Sequence, residues 1–284
     1  MMIVFIILLV SLLLFFWCTV ENHMLLVHEY TVSDDALPDA FSGKKIVYLV
    51  DLHNTRYGKD NQRLKEKIAA QDPDYVFVGG DFLSKADTEF SASIDLLVFL
   101  TKRYPVYFAN GNHETKMKCF PERYHDQYAQ FYQMAKGLGV RFLSNETILL
   151  REGKDFIYLD ALELPLSYFS HGKQVELTKK EMSKLIKRKA GGYHILLAHS
   201  PNYFETYAKW GADITLSGHN HGGMARIPGV CGVLSPQARI FPKYTKGLYQ
   251  IDTHRMIVSA GLGSHTIRVR FFNPPELLAI TLQK

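Results

Sequence analysis

Residues 45–53 read Lys-Ile-Val-Tyr-Leu-Val-Asp-Leu-His, and this stretch decides the fold. Five consecutive apolar or aromatic residues, several β-branched, predict a strand buried on both faces, as strands of a parallel sheet are. The run ends abruptly in Asp51 and His53, so the strand delivers a carboxylate and an imidazole at its C-terminal end. The same design recurs downstream. Asp74–Val78 leads to Gly79-Gly80-Asp81, and Pro105–Ala109 leads to Gly111-Asn112-His113-Glu114. Tyr193–Ala198 leads to His199-Ser200-Pro201, and Asp213–Leu216 leads to Gly218-His219-Asn220-His221-Gly222-Gly223. Open α/β sheets bind ligands at the C-terminal ends of their strands, and glycines there let the backbone turn sharply beside a bound ion.

Helical stretches separate the first strands, at about Asn61–Gln71, Asp87–Arg103 and Glu122–Leu138. Such alternation implies right-handed βαβ units in a mainly parallel sheet. The pattern then changes. Glu146–Arg151 and Phe156–Ala161 predict a hairpin turning at Gly153-Lys154, and Thr178–Lys189 predicts a helix before Tyr193–Ala198. Further short strands are expected at Gly247–Asp252, Met256–Ser259 and Leu277–Leu282. This inventory builds two sheets more easily than one.

The 284 residues suffice for one large catalytic domain. Cys18, Cys119 and Cys231 are far apart and form no CxxC pair, which argues against a disulfide framework and a thiolate zinc site. A net charge of +5 suits an anionic substrate or surface but is too mild to indicate nucleic acid. Residues 1–20 carry no charged side chain, are long enough to cross a hydrocarbon core, and lack a basic leader or small-x-small cleavage site. We therefore expect a transmembrane anchor at 1–20, a polar connector at 21–43 and a catalytic domain at 44–284. We expect the catalytic domain to be extracytoplasmic, with only weak support from the positive-inside rule because Lys and Arg are missing from both flanks of the anchor.

A lone Asp-x-His or Gly-Gly-Asp occurs often by chance, and a strand-terminal histidine is more often structural than a ligand. Five such elements in this order point to a metal site. Carboxylates and imidazoles without thiolates suit Mn, Fe, Zn, Co or Ni better than Ca.

Together DLH, GGD, GNHE, AHS and GHNHGG resemble the calcineurin-like metallophosphoesterases, over a span from about Lys45 to the C-terminus. DLHNTRYGKDN, FPKYTKGLY, SAGLG and RFFNPPELLAITL are similar to the membrane-anchored bacterial branch, which includes UDP-diacylglucosamine hydrolases. The resemblance implies a four-layer α/β/β/α sandwich of two mixed sheets. It implies two divalent transition-metal ions (Mn, Zn or Fe), one on Asp51, His53 and His221, the other on Asn112, His199 and His219, with Asp81 bridging. It also implies attack of a metal-bridging hydroxide on a phosphomonoester, phosphodiester or pyrophosphate, with His113 facing the phosphate as the catalytic residue. Val50 stands where serine is usual before the first aspartate, and Asn220 where threonine is usual between the paired histidines; neither change removes a ligand.

Three functions compete on these residues: a membrane-anchored phosphoesterase acting on a lipid-linked substrate such as UDP-diacylglucosamine, a tethered nucleotide or nucleic-acid phosphodiesterase, and a non-catalytic scaffold. The complete ligand set argues against the scaffold. The lack of long basic stripes interleaved with aromatics argues against nucleic acid as partner. Lys179, Lys180, Lys184, Lys187, Arg188 and Lys189 are expected on a solvated helix face, Cys119 in packing, and Arg268 or Arg270 either paired or reaching a phosphate.

Overall fold

The computed structural model describes residues 2–84, 89–172, 174–264 and 269–284. In chain order the elements are α1 (Met2–His23), β1 (Leu26–Ser33), β2 (Lys45–Leu49), α2 (Gln62–Gln71), β3 (Tyr75–Val78), α3 (Ser91–Thr101), β4 (Val106–Ala109), α4 (Asn112–Cys119), α5 (Gln127–Gly137), β5 (Arg141–Leu143), β6 (Glu146–Glu152), β7 (Asp155–Leu162), α6 (Lys179–Leu185), β8 (His194–Ala198), α7 (Phe204–Trp210), β9 (Ile214–Ser217), β10 (Arg226–Ile227), β11 (Cys231–Gly232), β12 (Gly247–Ile251), β13 (His254–Val258) and β14 (Glu276–Gln283).

Two mixed six-stranded sheets carry the domain, ordered β1-β14-β2-β3-β4-β5 and β12-β13-β9-β8-β7-β6. In the first, β2 to β5 are parallel and β14 is antiparallel to β2. In the second, β13, β9, β8 and β7 are parallel, with β12 and β6 antiparallel at the two edges. Strand alternation sorts side chains into layers. Ile46, Tyr48 and Val50 join Ile195, Leu197 and Leu216 in the core between the sheets. Val47 and Leu49 face the opposite way, onto Leu64 and Ile68 of α2 and Leu96, Leu97 and Leu100 of α3. On the far side, Leu196 and Ala198 pack against Met182 of α6 and Tyr207 and Trp210 of α7. The result is the expected four-layer α/β/β/α sandwich.

The largest departure from the sequence reading lies before residue 44. The apolar helix runs on through His23, and residues 26–33, read as connector, form a strand of the first sheet. β1 pairs parallel with β14 from Leu26↔Glu276 to Ser33↔Gln283. The end of α1 is also docked. Glu21 is 2% exposed, its Oε2 accepting the Phe272 N–H at 2.9 Å and its Oε1 accepting the Asn273 N–H. The Arg270 N–H reaches Cys18 Sγ at 3.4 Å, Ser264 Oγ donates to Asn22 Oδ1 at 3.0 Å, and Trp17 lies 5.9 Å from the Phe272 ring. Residues 2–17 are exposed, and α1 is long and apolar enough to cross a membrane. Met1 is outside the described residues.

Other differences are local. No helix was expected directly after the third strand, but Asn112 opens α4. The helix expected over Glu122–Leu138 is a 3-10 turn at Pro121–Arg123 followed by α5, and that expected over Thr178–Lys189 stops at Leu185. The one expected from Asp87 is described only over α3, its first two residues lying outside the described set. Cys119 is exposed rather than packed. Arg268 lies outside the described residues, whereas Arg270 is buried. Its guanidinium donates to the carbonyls of Asn273 (3.0 Å), Ala260 (3.0 Å), Gly261 (3.3 Å) and Gly263 (2.5 Å). It therefore ties Ala260, Gly261 and Gly263 to Asn273 instead of reaching a phosphate.

Candidate metal centre

All eight residues singled out from the sequence converge where β2, β3, β4, β8 and β9 end. Seven of them are buried, and Asn112 is half-buried. Five sit in the left-handed backbone region: Asp51 (φ 54), His53 (φ 47), Asp81 (φ 52), His219 (φ 66) and His221 (φ 46). Non-glycine residues rarely hold that conformation, and such strain gathers at functional sites. Gly111 explains the close loop packing: a Cβ there would collide with the Asp81 carboxylate.

Potential donor atoms fall into three overlapping groups, each within 4.8 Å: Asp51, His53 and His221; Asp81, His199 and His219; and His53, Asp81 and His113. His53 Nε2 and His221 Nε2 face each other at 3.3 Å, their rings stacked with centroids 5.1 Å apart. Asp81 links the groups through one oxygen. Its Oδ1 accepts the His113 main-chain N–H at 2.8 Å, while its Oδ2 lies 3.2 Å from His199 Nε2 and 3.9 Å from His53 Nε2. Asp51 is divided in the same way. Oδ2 accepts the His219 N–H at 2.9 Å, and Oδ1 points toward His199 Nε2 at 3.7 Å.

Buried polar atoms are normally hydrogen-bonded. Here Asp51 Oδ1, Asn112 Oδ1 and His199 Nε2 are buried without a hydrogen-bond partner. The tautomer sharpens the point for His199, whose Nδ1 donates to the Gly79 carbonyl at 2.8 Å. With Nδ1 donating, Nε2 is left facing two carboxylates, an arrangement that calls for a metal cation or a proton there. Ion pairing expresses the same need. Burial would lower the His199 pKa, but Asp81 and Asp51 raise it to about 9. Burial lifts Asp51 to about 7, with Asp81 adding to the rise against the pull of His199. Burial also pushes Asp81 upward, yet His199, His113 and His53 hold it well below the usual carboxylate range. The donor set fits divalent metal.

Several residues here had no role assigned from the sequence. Glu114 is fully buried and accepts three main-chain N–H groups: Asp81 (2.7 Å), Leu83 (2.9 Å) and Gly111 (3.0 Å). It ties the loop after β3 to the start of α4. Burial and the charge of Asp81 raise it to about 7. Glu114→Ala would strand three buried donors at about 1–3 kcal/mol each, so a loss of at least about 3 kcal/mol is expected. Denaturant unfolding of the two proteins checks this, and an unchanged midpoint would contradict it. Asn273 donates to the His221 carbonyl at 2.7 Å, and His221 Nδ1 faces the Gly263 carbonyl at 3.3 Å. Asn220 donates to the Tyr244 carbonyl at 2.6 Å and to Asn202 Oδ1 at 3.1 Å, so this departure from the usual threonine braces the loop. Gln237, 3% exposed, brings its amide against His219 Nε2, and Phe169 lies 5.0 Å from the His219 ring. Among the histidines outside the motifs, His28 pairs with Glu276 and His194 Nδ1 with Asp160 at 2.7 Å; His265 is outside the described residues.

A two-sheet sandwich with aspartates, histidines and an asparagine gathered at its strand ends defines a metal-dependent phosphoester hydrolase. The family model for calcineurin-like phosphoesterases matches residues 44–223, and the chain belongs to that family. It is 27% identical to the uncharacterized metallophosphoesterase YkuE of Bacillus subtilis, over 93% of this chain and 87% of that one. Escherichia coli phosphodiesterase YaeI is 26% identical over 78% of this chain and 75% of its own. The UDP-2,3-diacylglucosamine pyrophosphatase LpxG of Chlamydia muridarum is 24% identical over 86% of each chain.

Proposed function

We propose that the chain is a membrane-anchored phosphoesterase with two divalent metal ions, cleaving the phosphodiester or pyrophosphate bond of a lipid-linked substrate. The carrying observation is the set of buried, unpartnered atoms Asp51 Oδ1, Asn112 Oδ1 and His199 Nε2 beside the facing Nε2 atoms of His53 and His221. Asp51, His53 and His221 would hold one ion, and Asn112, His199 and His219 the other. Asp81 would be shared, its Oδ1 accepting the His113 N–H while its Oδ2 faces the histidines. When bound, such ions polarise phosphoryl oxygens and lower the pKa of water. The protein residues orient that chemistry. Gly79, Gly263 and Asn273 fix the rings and backbone of the liganding histidines, and Glu114 fixes the backbone of Asp81. His113 has its ring edge-on to His53 at 4.7 Å and is buried beside Asp81, a place from which it can donate a proton to a leaving oxygen.

Two features favour a lipid-linked substrate: the apolar α1 docked on the domain, and the likeness to a relative named as a diacylglucosamine pyrophosphatase. A tethered site meets bilayer substrates at high effective concentration. The full chain in vesicles with manganese should therefore hydrolyse UDP-2,3-diacylglucosamine with kcat/KM at least about 10²-fold above that for its deacylated, water-soluble counterpart. The chain itself should resist carbonate extraction. Equal kcat/KM for the two substrates would remove the lipid preference and leave a tethered general phosphoesterase.

A further inference from the structure

A cavity of about 560 Å³ separates the last turns of α1 from the loop that follows Asp51 and His53. Its inner end is one residue from the metal centre. Asn54 directly follows His53, and Gly263 on the opposite wall donates its N–H to the Asp51 carbonyl and turns its own carbonyl to His221 Nδ1. Its outer end is Phe15 and Thr19, on the apolar helix. Docking of Glu21, Cys18 and Asn22 holds that helical wall in place.

Among the described residues the lining is cationic, with Arg56 and Arg63 contributing and no Asp or Glu. Arg56 is steadied from behind by Asp95 at 3.0 Å and Ser91 at 2.7 Å. Arg63 makes no ion pair among the described residues, and its Nη1 donates to the His23 carbonyl at 3.3 Å. Guanidinium groups beside an apolar wall match a phosphoryl group joined to hydrocarbon: the fork binds phosphate oxygens while the chains stay along the helix. A neutral or purely aqueous ligand would leave Phe15 without a role, and a simple hydrocarbon would leave the arginines desolvated.

We propose that this cavity seats the headgroup of an anionic membrane lipid beside the metal centre, its phosphoryl group on Arg63 and Arg56 and its acyl chains along Phe15. The assignment rests on the phosphoesterase reading for the use made of the lipid, though not for its binding.

The test is calorimetric titration of the full chain in detergent micelles with dihexanoyl phosphatidic acid, dihexanoyl phosphatidylcholine and inorganic phosphate. Phosphatidic acid should bind more tightly than either of the others. Arg63→Ala should weaken it by about 10–100-fold, the scale of a charge-assisted hydrogen bond, and Arg63→Lys should recover part of the loss. Thr19→Trp, which fills the cavity from the helix side, should weaken it as well. Unchanged affinity in Arg63→Ala, or equal binding of phosphatidylcholine, would overturn the proposal. Inorganic phosphate binding as tightly with the same dependence on Arg63 would mark a free-phosphate site and overturn its lipid part. Turnover of bis(p-nitrophenyl) phosphate by the unaltered chain reads the phosphoesterase assignment separately. Its absence beside Arg63-dependent lipid binding would sink only that assignment.

Discussion

Asp81→Asn is expected to empty both metal positions and abolish turnover, even though it removes one negative charge and almost no volume. The reason lies in how the carboxylate is divided. Oδ1 is occupied by the His113 N–H, and Oδ2 alone lies between His199 and His53. An asparagine that keeps its oxygen toward His113 turns an NH₂ donor into the space between the histidines. The opposite rotamer sets that donor against the His113 N–H. Neither serves two cations. Disturbing residues that merely support metal ligands costs roughly 10–100-fold in affinity, so loss of the shared ligand should exceed that. Elemental analysis after dialysis, beside turnover of a soluble phosphodiester, checks the result. Full metal content with unchanged activity would remove Asp81 from the site.

His113→Ala separates chemistry from metal binding. The substitution leaves the main-chain N–H that holds Asp81 Oδ1, so the carboxylate should keep its place. The expected loss is about 10²–10⁴-fold in turnover at near-normal metal content, the scale of a missing general acid. It should shrink for p-nitrophenol esters, whose leaving group needs little protonation. The ring also shares a possible donor group with His53 and Asp81. A fall in metal content alongside activity would therefore make His113 a ligand. Equal losses for good and poor leaving groups would restrict it to stabilising phosphoryl oxygens.

The sheets and the gathering of these polar residues at the strand ends were legible in the sequence because local rules place them. KIVYLVD is apolar on both faces and ends in polar residues, and β8 and β9 repeat the design. Strand β1 was missed because Leu26–Ser33 alternates weakly and includes His28 and Glu29. Its evidence is the distant partner β14, which no local pattern reveals. Helix α4 was missed because Asn112-His113-Glu114 read as chemistry, while the same Glu114 caps the helix by accepting the Gly111 N–H. Gln237, Asn273 and Arg270 are ordinary polar residues in sequence. Their roles come from folding loops onto His219, His221 and the carbonyls around Gly263. Glu21 is the sharpest case: an acidic residue at the end of an apolar run reads as solvated, yet it is buried on two main-chain N–H groups.

The central claim is that two ions share Asp81 within one donor cluster. Anomalous diffraction from crystals of the full chain grown with manganese tests it most directly. The account predicts two peaks about 3.5–4 Å apart, the usual spacing in two-metal sites. One should contact Asp51, His53 and His221, the other Asn112, His199 and His219, and both Asp81 Oδ2. A single peak, or peaks away from Asp81, would contradict it.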